Sequence, residues 1–261
     1  MKNWLLLLIG TSLLFAEGAR GSKPHSIYVQ ASYTPVSTDQ YFSEESEPTD
    51  GPKYTKHGVN VYSKYGTWLE ELSLVGNFGF RTQKIEAFGS NTALEDISLK
   101  LDYQIVKGTT PFALSYEIGL PTGDFEEGDP LSTGDGEVDH KFRLYASWEG
   151  WDFVTNYHLR TKGYTDSYGL GFQYKHNPYS PLWLTYGFRT QILFGQENLT
   201  KAQAYLDFGE GVQYAGPYVG AFYTLGNDIH AVLNLGGAIP GLPQTHLYAA
   251  PYIGIGLAWT H

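Results

Sequence analysis

Eight charged side chains fall on one parity of segments whose other parity is apolar: Lys100, Asp102, Glu117, Lys141, Arg143, His158, Arg160 and Arg189. In one such segment Ile97, Leu99, Leu101, Tyr103 and Ile105 alternate with Asp96, Ser98, Lys100, Asp102 and Gln104. The next sets Phe112, Leu114, Tyr116, Ile118 and Leu120 against Ala113, Ser115, Glu117 and Gly119. Successive side chains of a strand point to opposite faces, so one face suits hydrocarbon and the other suits water. Charges of both signs on a shared inner face can line an aqueous passage, with Arg143, Arg160 and Arg189 as a basic ladder opposite Asp102 and Glu117. Such a ladder would orient polar or anionic solutes. The same charges can instead interlock as a salt-bridged core that fills the interior. The pattern leaves both open.

A second group is acidic. Ile118-Gly119-Leu120-Pro121-Thr122-Gly123-Asp124 is followed by Leu131-Ser132-Thr133-Gly134-Asp135-Gly136-Glu137. The glycines permit positive φ, and Asp124 and Asp135 can accept backbone N–H bonds in Asx-type turns, which reads as an ordered acidic loop. Asp124, Glu126, Asp129, Asp135 and Glu137 also offer hard oxygens to a cation such as calcium, although their spacing is not that of an EF-hand. No Gly-Lys-Ser/Thr follows the glycines, so this is not a phosphate loop.

Catalysis in a barrel would need a hydroxyl nucleophile, a positioned His and an acid near the outer rim. His57 and His246 lie beside long connections and His158 shares the inner parity with Arg160. His140 and His176 fall on the lipid-facing parity, and His25 abuts Ser26 at the opposite end. No such trio stands at short spacing, and no cofactor or energy-coupling motif appears. The expectation is a protein that is not an enzyme and carries no cofactor.

These residues must be positioned by strands. Period-two alternation predicts strands near 26–34, 56–65, 68–81, 93–106, 111–121, 137–149, 151–161, 167–177, 181–193, 212–225, 229–237 and 247–260. Short connections (Gly66-Thr67, Lys107 to Thr110, Gly150, Asn177 to Ser180, Gly226-Asn227-Asp228) alternate with longer ones at 35–55, 82–92, 122–136, 194–211 and 238–246. Short periplasmic turns and long outer loops are the signature of an outer-membrane barrel. Trp68, Trp148, Trp151, Trp183 and Trp259 all fall at the short-turn end, where amphipathic rings favour the headgroup level. The predicted fold is all-β: an antiparallel up-and-down transmembrane β-barrel of about 12 strands, or 14 if 199–211 contributes.

Residues 1–18, with Lys2, an apolar run from Trp4 to Phe15 and a small-residue end, read as a signal peptide cleaved between 16 and 19. Residues 19–261 then form a single exported barrel domain. The absence of Cys excludes a disulfide scaffold and a lipid-anchored lipoprotein. Formal net charge is -10, the acid lying mostly in predicted loops, and no basic patch suggests nucleic acid. The partners expected are outer-membrane lipids and a small solute.

The strand ending in Leu120-Pro121-Thr122-Gly123-Asp124, the Gly134-Asp135-Gly136 segment and the preceding Asp96-Ile97-Ser98-Leu99-Lys100-Leu101-Asp102-Tyr103 strand resemble the outer-membrane family named for the MetA pathway of phenol degradation. That resemblance implies a bacterial outer-membrane barrel moving small, often aromatic, organic molecules. The ending Trp259-Thr260-His261 departs from the terminal aromatic common to such barrels. The function expected is a passive channel for small organic solutes. A closed structural or surface-binding barrel acting through its acidic loops is the alternative, and a barrel enzyme the third.

Overall fold

Aromatic and branched residues on one parity and polar residues on the other suit a sheet with lipid on one side. In the computed structural model nearly every alternating segment forms a strand. The structure describes residues 19, 21–42, 48–86, 88–125, 131–132, 136–161, 166–194, 214–237 and 252–261. The predicted signal peptide, the 199–211 stretch, His246, Glu126, Asp129 and Asp135 lie outside the described residues.

The β-segments are β1 (Ile27–Phe42), β2 (Pro48–Gly66), β3 (Leu72–Ile85), β4 (Gly89–Leu94), β5 (Ile97–Val106), β6 (Phe112–Leu120) and β7 (Asp139–Trp148). They continue with β8 (Trp151–Leu159), β9 (Ser167–Tyr179), β10 (Leu182–Leu193), β11 (Tyr214–Gly226), β12 (Ile229–Gly236) and β13 (Tyr252–Thr260). The pairing is antiparallel throughout, and β1 meets β13 from Tyr28↔Thr260 to Tyr33↔Ile255, which closes the sheet. β4 and β5 are successive lengths of one wall strand. Phe80 to Ile85 of β3 pair with β4, and Leu72 to Asn77 pair with β5. The wall is therefore a closed barrel of 12 antiparallel strands. β10 pairs directly with β11 from Leu182↔Tyr223 to Gln191↔Tyr214, so no strand stands between them and the 14-stranded alternative falls away.

Two predicted loops are corrected. The pairing of β1 with β2 runs on to Phe42↔Pro48 across most of 35–55, and β3 and β4 leave only 86–88 between them. Val36, Thr38 and Thr55 favour extended backbone, and the acid of this region is concentrated at the hairpin tip. Among the described residues, β1 beyond Tyr33 has β2 as its paired neighbour, and β2, β3 and β4 continue the sheet from there.

Burial inverts the soluble pattern. Leu99, Leu101, Tyr103, Leu114, Phe142, Leu144, Phe153 and Leu159 face outward and are exposed, whereas Lys100, Ser115, Asp139, Ser147, His158 and Gln173 are buried. An apolar belt around a polar interior is what a bilayer selects. Trp68, Trp148, Trp151, Trp183 and Trp259 are all exposed at the short-turn, periplasmic end, as their sequence positions predict. There Lys107 Nζ bridges Glu70 at 2.9 Å and Glu71 at 2.7 Å, tying two neighbouring turns. The hydrogen bond from Lys107 holds the Glu71 carboxyl below its ordinary pKa.

Candidate functional site

All eight lumen residues expected from parity point inward, and pairing dominates their geometry. Arg143 Nη1 donates to Glu117 Oε2 at 2.7 Å between β6 and β7. Arg160 Nε donates to Glu137 Oε1 at 2.7 Å, and both side chains are 0% exposed. Asp139 Oδ1 stands 2.9 Å from His158 Nε2 and 3.9 Å from Arg160 Nε, while its Oδ2 is 4.0 Å from Lys141. Asp102 lies 3.5 Å from Lys100 and 3.6 Å from Lys64. Nearer the periplasm, Asp152 holds Lys175 at 2.6 Å and accepts from Ser147 Oγ at 2.5 Å and Gln173 Nε2 at 2.8 Å.

The expected arginine ladder is corrected by this geometry. Arg143 and Arg160 are bound to carboxylates beside them, because side chains of adjacent strands meet before those across the barrel. Arg189 lies on a different part of the wall, its guanidinium 4.7 Å from the Tyr218 ring centroid, in a cation–π arrangement. Tyr218 Oη donates to Gln173 Oε1 at 3.0 Å. Gly187 makes room for this stack, since a Cβ there would lie 2.1 Å from Tyr218 Cζ.

Several lumen residues escape a parity reading of the predicted strands. Lys56 begins a predicted strand beside an expected loop, and Arg81 ends one. Lys56 shares the inner parity of β2 with Tyr54, Tyr62 and Lys64, so extending that parity would have found it. Glu95 sits at the break between β4 and β5, where its backbone N bonds Gly79 O at 2.8 Å. The irregularity re-aims the side chain. Its carboxylate stands 3.4 Å from Lys56 Nζ and 3.5 Å from Arg81 Nε. Gly79 is needed beneath it, since a Cβ would come 2.6 Å from Glu95 Oε2.

Of the five loop carboxylates, Asp124 and Glu137 are among the described residues, and they meet different partners. The start of the loop is docked by Gly123 N to Asp96 Oδ1 at 2.7 Å and by Asn91 Nδ2 to Asp124 Oδ2 at 3.0 Å. Gln83 Nε2 donates to Ser132 O at 2.8 Å, and Asn91 Nδ2 donates to Leu131 O at 3.0 Å. Glu137 turns into the lumen to meet Arg160. Among the described residues no group of three or more His, Asp or Glu is placed to hold a metal ion.

Of the histidines, His57 Nδ1 pairs with Tyr33 Oη at 2.6 Å and His140 Nδ1 with Tyr116 Oη at 2.8 Å. His25 Nδ1 pairs with Tyr65 Oη at 3.1 Å. Asp139, His158 and Ser167 do fall on the adjacent strands β7, β8 and β9, with His158 opposite Ser167. Among the described residues the buried Ser167 Oγ has no hydrogen bond to His158, so this trio lacks the nucleophile–base bond that activates a hydroxyl.

The N-terminal segment lies against the inner wall at the periplasmic mouth. Ala19 is fully buried against Ala113 and Tyr145, and its N donates to Ser147 Oγ at 3.4 Å. Gly21 N donates to Gln104 Oε1 at 3.0 Å, and Ser73 Oγ donates to Ser22 Oγ at 3.0 Å. The segment thus passes from β1 along β3 and β5 to β6 and β7, narrowing that mouth.

Solved structures with this architecture include an outer membrane channel from Pseudomonas putida F1, 12% identical, covering 97% of this chain and 99% of that one at a TM-score of 0.70. The NanC porin is 10% identical over 89% of this chain and 98% of its own, at 0.51. A mutant of the TodX monoaromatic hydrocarbon channel is 9% identical over 99% and 96%, at 0.50. At these identities they are similar in fold. No curated protein matches the chain. The barrel is of the bacterial outer-membrane kind, as its apolar belt and rim require. Residues 30–239, covering β2 to β12 entirely and most of β1, match the family described as "Putative MetA-pathway of phenol degradation", and the chain belongs to that family.

Proposed function

We propose that this protein is a passive outer-membrane channel for small organic solutes. The observation that carries the reading is the inner wall: charged and polar side chains line a closed barrel from the Glu137–Arg160 pair at the outer end to Asp152 and Lys175 at the other. The family, and the channels and porins that share the fold, support the same reading. The hydrocarbon channel among them adds aromatic solutes as the class to try first. Lys100, Asp102, Glu117, Lys141, Arg143, His158, Arg160 and Arg189 are the residues proposed to line the path.

Purified barrel in a planar bilayer should give discrete conductance steps. Silence from folded, heat-modifiable protein would reject the channel and favour the filled barrel, a reading to which the complete burial of Glu137 and Arg160 lends weight. Deleting residues 19–25 should enlarge those steps severalfold, because the segment that narrows the periplasmic mouth would be gone. Unchanged steps would mean that the narrowest point lies elsewhere.

The cation reading of the acidic loop stays a proposal for Asp124, Glu126, Asp129 and Asp135. Calorimetric titration of the folded barrel with calcium tests it, and the absence of heat would remove it. Glu137 is better assigned to the lumen pair.

A further inference from the structure

The segment before β1 occupies a seat fitted closely to it. His25 N donates to Gly66 O at 2.7 Å, and Ser26 N and Oγ both donate to Lys23 O, at 3.1 and 2.7 Å. This tight turn leads Ser22, Gly21 and Ala19 away from β1. Ser22 then meets Ser73 of β3, Gly21 meets Gln104 of β5, and Ala19 meets Ser147 of β7. Ala19 also packs against Ala113 of β6 and Tyr145 of β7. Two glycines permit the close approach. A Cβ on Gly21 would lie 2.2 Å from Glu70 O, and one on Gly66 would lie 2.1 Å from Lys23 O.

The last of these contacts leads to a charge. Ala19 N donates to Ser147 Oγ at 3.4 Å, and Ser147 Oγ donates in turn to Asp152 Oδ1 at 2.5 Å. Asp152 Oδ2 accepts from Gln173 Nε2 at 2.8 Å and pairs with Lys175 Nζ at 2.6 Å. In the sequence Ala19 follows Ala16-Glu17-Gly18, which fits a small-x-small processing site. Removal of a signal peptide after Gly18 would turn the peptide N–H of Ala19 into an ammonium. Neighbouring wall strands are about 4.8 Å apart, against about 3.5 Å for each extended residue, so the segment crosses from β3 to β7 without slack. A chain beginning one residue later would have its first nitrogen short of Ser147, and one beginning at Glu17 would carry it two residues past.

We propose that the signal peptide is cut between Gly18 and Ala19, and that the new α-ammonium anchors the seated segment through Ser147 to Asp152. A hydroxyl both donates and accepts, so Ser147 takes a hydrogen bond from the ammonium while giving its own proton to the carboxylate. A charged donor makes a shorter and stronger bond, about 2.8 Å long, so the ammonium holds better than the peptide N–H it replaces. Lys175 shares Asp152, but its side chain is 30% exposed and keeps its contact with water. Around the seat Glu70, Glu71, Glu149 and Asp152 stand with Lys23, Lys107 and Lys175, so one further positive charge is balanced. The segment is then fixed at both ends, by the turn at Lys23–Ser26 and by its own terminus.

The test uses the full chain, expressed with its leader and purified from the outer membrane as folded, heat-modifiable barrel. Intact mass should show a chain beginning at Ala19, and any other start overturns the inference. An amine-acylating reagent at neutral pH should label the α-amine about tenfold or more slowly in the folded barrel than in the urea-unfolded chain, the factor expected of a hydrogen bond to a charged group. Peptide mapping reads that amine separately from the lysines. Ser147→Ala and Asp152→Asn should each restore most of the labelling rate. Ser147→Ala keeps the Asp152–Lys175 pair, so it serves where Asp152→Asn does not fold. Lys175→Gln removes the other cation from Asp152 and should leave the amine protected, which separates anchoring from a loosening of this end. Equal rates in folded and unfolded protein, protection unchanged in Ser147→Ala, or protection lost in Lys175→Gln each overturn the inference. No conductance enters these readings, so silence in a bilayer would count against the channel and leave the anchor standing.

Discussion

Replacing Arg160 with Met should lower the unfolding free energy of the barrel by about 3–5 kcal/mol, the cost of breaking a buried ion pair from one side. Arg160 and Glu137 meet at 2.7 Å with both side chains fully buried, and Asp139 Oδ1 is 3.9 Å from the same guanidinium. Without Arg160 two carboxylates remain close together, and Lys141 is the cation left beside Asp139, with the His158 ring 2.9 Å from it. The shape of the side chain is largely kept by Met, so the loss reports charge rather than packing. Removing the partner as well, Arg160→Met with Glu137→Gln, should restore most of the stability, since a buried pair and its neutral replacement are often close in free energy. Urea unfolding of the barrel in detergent, followed by its heat-modifiable gel mobility, measures both variants. A loss below about 1 kcal/mol for the single variant, the size of a surface ion pair, would mean that water reaches Glu137 and that the outer lumen is open there.

That pair also shows where the sequence stops being legible. Period two places Asp139, Lys141 and Arg143 on one face, and His158 with Arg160 on the same side of the next strand, and the structure agrees. It also puts Glu137, the first residue of the strand predicted at 137–149, on that face, but it does not say that the partner is Arg160, because that contact joins positions 23 residues apart through a strand register. Glu95 was hidden for a related reason: a break between two strand segments changes which way a side chain points, and alternation cannot register a break. The hairpin beyond Val36 was hidden because Ser37, Thr38, Asp39 and Gln40 follow one another as polar residues, and a pattern tuned to lipid and water has no contrast there. Ala19, Gly21 and Ser22 carry no periodicity at all. Their partners Ser147, Gln104 and Ser73 lie 128, 83 and 51 residues away, so closure of the barrel alone brings them together. Strand number and facing were legible because the membrane enforces them at every second residue. Pairings inside the lumen were not, because several cation–acid matches satisfy the same parity.

Leu144→Arg should destabilise the inserted barrel by about 2–4 kcal/mol, whereas Val106→Arg should cost about 0–1 kcal/mol. Leu144 lies mid-strand in β7, opposite Leu114 of β6 and Thr155 of β8, and its side chain is exposed on the outer face. Val106 is equally outward but ends β5 at the periplasmic turn, where a guanidinium can reach the headgroups. The one-position neighbour supplies the control. Arg143 is tolerated in the same strand because its side chain faces the lumen and meets Glu117 at 2.7 Å. Swapping the two, Leu144→Arg with Arg143→Leu, should be worse than either change alone, since it leaves Glu117 without that partner and puts a charge in hydrocarbon. Unfolding of the four variants from lipid vesicles separates depth from chemistry. Equal costs at Leu144 and Val106 would mean that the belt seen in the structure is not the surface that meets the bilayer core. A steep difference would fix both the depth of β7 in the membrane and the direction of its two faces, which every argument about the lumen assumes.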